Sequence, residues 1–234
     1  MGAHPLRPPL TALMVVLTAV TGMIEAVSLL ALGPVFTAMQ TGNVLFLAFG
    51  AAGQGHLPTL SPAVSLAAFA LGAVCGARLE AASEARGRRW FVIGLALEAG
   101  LILVAAGAGW GVTPRFGDPT ARHMAVAALL ACAMGMRNVT SMRVNVPGVP
   151  TTLVTRSMAF VLGGSALGRD SAFGYGTAAW VRRAAAILAM FTGGLAGALL
   201  VGAGWPVNWL LVPAAGMVLA TGLAYLPQPG LHTV

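Results

Sequence analysis

Glu25 is the one acidic residue in an apolar run covering residues 10–32. At about 100° per residue, Thr18, Thr21, Gly22, Glu25 and Ser28 share a polar arc roughly 120° wide. A carboxylate in hydrocarbon is costly, so it faces the bundle interior and marks a solute path or proton relay. The plainer alternative is a structural glutamate hydrogen-bonded to a neighbouring helix. Asn138 holds the equivalent place in Gly135-x-x-Asn138-x-x-Ser141. It can line a path, or glue helices together at about 0.6 kcal/mol. Thr41, Gly42 and Asn43 read as a break in a second apolar segment, where free backbone N–H groups suit an anionic group. Ordinary N-capping is the rival reading there. Thr151, Thr152 and Thr155 offer hydroxyls after Pro147-Gly148-Val149-Pro150, and Arg156 can pair with Glu25 or with a substrate carboxylate. Arg137 is expected to snorkel to the headgroups, and Glu98 stands with no polar arc around it. His4, His56, His123 and His232 lie in loops or tails, and no zinc-protease helix, nucleophile elbow or phosphate loop is present. These residues therefore read as lining a pathway for a small solute or ion. No catalytic residue, metal or cofactor is implied.

The elements that must position them are set by composition. Of 234 residues, 58% are hydrophobic and 8% charged, against roughly 25% charged in soluble domains. Mean hydropathy is +0.85 and the sequence pI about 11.3. The basic balance does not imply nucleic acid: every basic residue is Arg, and most lie between apolar blocks, where they orient membrane proteins. Cys75 and Cys132 fall inside apolar blocks and suggest packing rather than a disulfide or zinc site. The first block is too long for a signal-peptide core of about 7–15 residues, so it reads as a transmembrane helix.

Six blocks, residues 10–32, 60–77, 90–110, 124–141, 184–203 and 209–226, are expected to span the bilayer. The five tryptophans, Trp90, Trp110, Trp180, Trp205 and Trp209, sit near block ends as interfacial anchors. Segments 36–52 and 151–166, each behind a Pro/Gly breaker, are expected to be re-entrant half-helices. With both termini cytoplasmic, the inside then receives Arg7, Arg78, Arg86, Arg88, Arg89, Arg143, Arg169, Arg182 and Arg183, and the outside only Arg115 and Arg122. Full spans would move one basic group outside, against the positive-inside bias.

The order of residues also repeats. Gly22-Met23 and Ser28 recur as Gly135-Met136 and Ser141; Thr37, Thr41, Phe46 and Gly50 as Thr151, Thr155, Phe160 and Gly164; Gly72, Gly76 and Ala77 as Gly193, Gly197 and Ala198. The expected fold is an all-α membrane protein, one domain over residues 1–234, with repeats at 11–110 and 122–226. Three spans per half make the repeats inverted, a recurring transporter plan. The pairs Gly72/Gly76 and Gly193/Gly197 mark close helix packing, within the monomer or in a homo-oligomer.

Gly22 through Ser28, Leu32-Gly33-Pro34-Val35-Phe36, Thr41-Gly42-Asn43, Ala133-Met134-Gly135-Met136, Asn138, Val146-Pro147 and Thr151-Thr152 together resemble the YoaK-like family of uncharacterised bacterial membrane proteins (DUF1275, UPF0700). That resemblance implies a multi-spanning fold in a bacterial inner membrane and supplies no activity. Glu25 stands where the family usually has Asp, Arg137 where Gln is more frequent, and Arg156 is an added charge. The function expected is small-solute secondary transport, proton-coupled through Glu25. The alternative is a non-transporting scaffold or regulatory partner of another membrane complex.

Overall fold

The computed structural model describes residues 10–55, 58–114, 119–146, 151, 154–165, 168–169 and 177–227. The described secondary structure is helical: α1 (Leu10–Ala31), α2 (Gln40–Ala51), α3 (Leu60–Ala85), α4 (Trp90–Ala108), α5 (Ala121–Val144), α6 (Val154–Gly163), α7 (Thr177–Gly202) and α8 (Val207–Tyr225). Six of them, all but α2 and α6, are long and apolar enough to cross a membrane. At about 1.5 Å per residue, the 22 residues of α1 reach across a hydrocarbon core of about 30 Å. The 12 residues of α2 and 10 of α6 reach only about 18 and 15 Å. The protein is a multi-pass membrane protein.

Breakers set the helix ends. α1 stops before Gly33, whose φ of 112° is left-handed, and Pro34. α5 ends on Asn145, also left-handed at φ 47°. α3 carries Pro62 in its first turn, where no intrahelical N–H is needed. It continues eight residues past the expected limit at Ala77, because the next breaker is Gly87.

Three crossings build the bundle. On α1 and α7, a Cβ at Gly193 would lie 1.9 Å from the Ala19 carbonyl oxygen, and one at Gly22 would lie 2.3 Å from that of Met190. On α3 and α5, a Cβ at Gly72 would lie 2.0 Å from the Cys132 oxygen, and one at Gly135 would lie 2.2 Å from that of Phe69. Gly197 rests on Met23 in the first crossing and Gly76 on Met136 in the second. In both, positions rise together along the two helices, so each pair runs parallel. The third crossing, α4 on α8, is antiparallel: Phe91 meets Tyr225 edge to face at 4.9 Å, while Gly109 meets Val207 at the far end.

α4 and α5 are antiparallel too, with Trp90 under Arg143 and Glu98 on Arg137. Short turns at 86–89 and 203–206 reverse the chain between α3 and α4 and between α7 and α8. Hence α1, α4 and α7 point one way, and α3, α5 and α8 the other. α1 ends at the end of the bundle where α3 begins, and α5 ends at the opposite end, where α7 begins. α2 lies on α3 and α6 on α7.

α1 and α5 are the most enclosed long helices, and α3 and α7 the least. Leu71, Val74, Leu188, Phe191, Leu195 and Leu199 point outward, a surface suited to lipid tails rather than water. Trp110, Trp180, Trp205 and Trp209 are exposed, as interfacial anchors must be. Trp90 is not; it is 2% exposed and packs beneath the Arg143 guanidinium at 4.7 Å.

Candidate functional site

Glu25 is 5% exposed and lies two turns below the end of α1. The chain after α1 dips back to its level. Oε1 accepts hydrogen bonds from the backbone N–H of Thr37 at 2.9 Å, the Thr37 hydroxyl at 2.5 Å and the N–H of Ala38 at 2.7 Å. The reason is local. Thr37 and Ala38 lie in the break just before α2, where no helical turn takes up their N–H groups, and the N-cap of α2, Met39, has no oxygen in its side chain. A carboxylate from α1 supplies the acceptor and matches the positive end of the helix. Oε2 is buried with no hydrogen-bond partner.

Asn43 ties the same segment from within α2. Its Oδ1 accepts from Phe36 N–H at 2.9 Å, while Nδ2 donates to Phe36 O at 2.6 Å, Gln40 Oε1 at 2.7 Å and Ser65 Oγ at 3.1 Å. Ser65 on α3 donates to Phe36 O, and Ser28 on α1 donates to Val35 O at 2.8 Å. The break therefore lies at residues 36–39. Thr41, Gly42 and Asn43 are helical, with Thr41 exposed and Gly42 beneath the Phe36 ring. The N–H groups of Thr37 and Ala38, which would otherwise suit an external anion, are held by the protein's own Glu25.

The second half differs. Thr151 is buried, its N–H 3.4 Å from Ser141 Oγ and its hydroxyl without a partner. Asn138 is half-buried on α5. Thr152 lies outside the described residues. Thr155 and Arg156 are exposed on α6. Arg156 does not reach Glu25; its guanidinium sits 5.5 Å over the Phe160 ring, which Arg183 also approaches at 4.7 Å.

Arg137 does not snorkel. It is 1% exposed, and its guanidinium pairs with Glu98 Oε1 through Nε, at 2.7 Å, and Nη2. Nη1 donates to the Leu17 carbonyl at 2.6 Å and to Thr21 Oγ1 at 3.2 Å. Glu98, which stood alone in the sequence, is thus half of a buried ion pair between α4 and α5, docked on the polar arc of α1. One turn of α1 separates Thr21, which serves this pair, from Glu25, which serves α2.

A third cluster lay hidden in the extension of α3. Glu80, 1% exposed, accepts from the Thr140 hydroxyl and lies 3.7 Å from Arg143 Nε, while Arg143 also pairs with Glu84. The sequence signal was available: no Gly or Pro separates Ala77 from Glu80, so the helix had no reason to stop. Among the described residues, no group of three or more His, Cys, Asp or Glu is placed to hold a metal ion.

No curated protein and no solved structure matches this chain. One protein family does, described as a protein of unknown function (DUF1275), and its match covers residues 13–224. With nearly the whole chain matched, from α1 through α8, this protein belongs to the DUF1275 family.

Proposed function

We propose that this protein is a small-solute secondary transporter built from two oppositely oriented halves, with Glu25 coupling a proton to the cycle. The observation that carries the reading is the contact of Glu25 with the start of α2. A carboxylate buried in an apolar helix holds broken backbone at the mouth of a helix too short to span. Such discontinuous helices, with ionisable partners at membrane depth, are where transporters place their sites. Two further observations support the inverted plan: the matched crossings of α1 on α7 and α5 on α3, and the opposite ends of the bundle at which α2 and α6 make their connections. On this reading α2 and α6 are re-entrant from opposite faces.

The chemistry follows from one equilibrium. Ionised Glu25 makes charge-assisted bonds to Thr37 and Ala38, and such bonds are about twice as strong as neutral ones. Protonation weakens them and loosens residues 36–39 from α1, opening the mouth of α2. The membrane-scaffold alternative draws on the apolar outer faces of α3 and α7, on which another membrane helix can pack.

The test is uptake into proteoliposomes of labelled amino acids, organic acids and nucleobases under an imposed pH gradient. Accumulation of one class, lost in Glu25→Gln with the protein still folded, is the expected result. Uptake that ignores both the gradient and the substitution would overturn the coupling. Absence of uptake across all three classes would favour the scaffold.

A further inference from the structure

The polar groups of α3, α4 and α5 form a track that Glu25 does not touch. At its outer end, Glu84 and Arg143 pair with their side chains 26% and 17% exposed. One turn inward, Glu80 is 1% exposed; its Oε1 accepts from Thr140, and its Oε2 has no hydrogen-bond partner. Three residues along α5 from Thr140 stands Arg137, bonded to Glu98, whose Oε2 is also buried without a hydrogen-bond partner.

Gly94 lets the first carboxylate close on the helix that carries the second. It lies one turn before Glu98 on α4, and a Cβ there would fall 2.8 Å from Glu80 Oε1 and 3.3 Å from Thr140 Oγ1. Without a side chain at Gly94, Glu80 Oε1 lies against α4 one turn, about 6 Å of helix axis, before Glu98.

We infer that Glu80 and Glu98 form a proton relay that opens at the Glu84–Arg143 end of the bundle and terminates on the Glu98–Arg137 pair. Arg143 swings toward solvent and a proton from water binds the Glu80 carboxylate. The Glu80 O–H bond then breaks as one forms on Glu98, and Arg143 returns to the Glu80 anion. Arg137, which keeps its charge throughout, exchanges an ionic partner for a neutral one. It retains the Leu17 carbonyl and the Thr21 hydroxyl, so the signal passes to α1 one turn from Glu25.

The groups facing the relay are few. Glu80 meets Glu84 on its own helix, Arg143 and Thr140 from α5, and no charged residue from α2. Glu98 meets Arg137 from α5 and uncharged Thr21 through it. α8, packed on α4, has Tyr225 as its one titratable residue. The relay builds on the transport reading by giving its proton a route, and Glu25→Gln separates the two.

The experiment is a pH jump on the full-length protein in proteoliposomes. The carbonyl stretch of protonated carboxyl groups is followed by time-resolved infrared spectroscopy between about pH 4 and 9. A band absent from Glu98→Gln is expected, with its rise slowed at least about tenfold in Glu80→Gln at unchanged final amplitude. Gly94→Ala, which removes no titratable group, should slow it too and stands in where Glu80→Gln fails to fold. Glu25→Gln should leave this rate unchanged. If no band belongs to Glu98, or if Gly94→Ala and Glu80→Gln leave its rise at the native rate, the relay is wrong. An intact relay alongside pH-independent uptake would instead remove Glu25 from the coupling and leave the route standing.

Discussion

Glu25 and Glu98 are both carboxylates buried in apolar helices, and their partners differ in kind. Glu25 binds backbone N–H groups and a hydroxyl, so a neutral acceptor of the same shape keeps those bonds in weaker form without unfolding the bundle; Glu98 binds a cation that cannot be neutralised. Glu25→Ala should therefore cost about 1–3 kcal/mol for each backbone donor left unsatisfied, while Glu25→Gln should stay near the native melting temperature in detergent. Glu98→Gln or Arg137→Met alone should cost about 3–5 kcal/mol, because each leaves a buried group uncompensated. The double substitution should cost less than the sum of the singles, as a thermal double-mutant cycle would reveal. Equal costs for the double and the sum would mean that the two side chains act independently. Glu25 was legible in the sequence because its polar neighbours recur on one face of one helix. The Glu98–Arg137 pair was not, since its partners are 39 residues apart and neither helix carries an arc around its charge. The usable signal was that an acid and a base each stood at membrane depth without a local partner.

At the scale of helices, glycine decides how closely the bundle closes. Gly72 and Gly193 each press on a backbone carbonyl of the facing helix, and backbone cannot rotate away as a side chain can. Gly72→Ala and Gly193→Ala should each destabilise by about 1–3 kcal/mol through overpacking, read as a lower melting temperature and a loss of monodispersity. Gly100→Ala, in α4 with nothing within 4 Å of its Cβ position, should be neutral or stabilising by up to about 1 kcal/mol. Equal effects at all three positions would mean that helix propensity, not the crossing, governs the result. The long helices were readable from apolar length alone, as were the breakers at Gly33-Pro34. The true start of α2 was not. Thr41, Gly42 and Asn43 look like a turn by residue type, yet the helix begins at Gln40, with Glu25 holding the break just before it. That contact joins residues far enough apart along the chain that no local pattern contains it.

For the whole molecule, the distribution of arginine and the helix directions make the same demand. α1 and α3 must meet at one face and α5 and α7 at the other, which places the connections through α2 and α6 on opposite sides. On the proposed plan, the positive-inside bias assigns the Arg78–Arg89 end to the cytoplasmic side. Sequence symmetry suggested this plan through matched glycines and threonines, but contained nothing to say that α1 would seat on α7 rather than on its own neighbours. That choice is made by which glycine faces meet. The transport reading stands or falls with the two faces, so the most direct test is single-cysteine labelling in intact cells with a membrane-impermeant maleimide. The starting protein carries Cys75→Ala and Cys132→Ala and is probed at Gln54→Cys after α2, Ala85→Cys at the end of α3 and Arg169→Cys after α6. Labelling at residue 54 from outside, with residues 85 and 169 reacting only after permeabilisation, is the predicted result. Residues 54 and 169 reacting from the same side would contradict the inverted plan and, with it, the transporter.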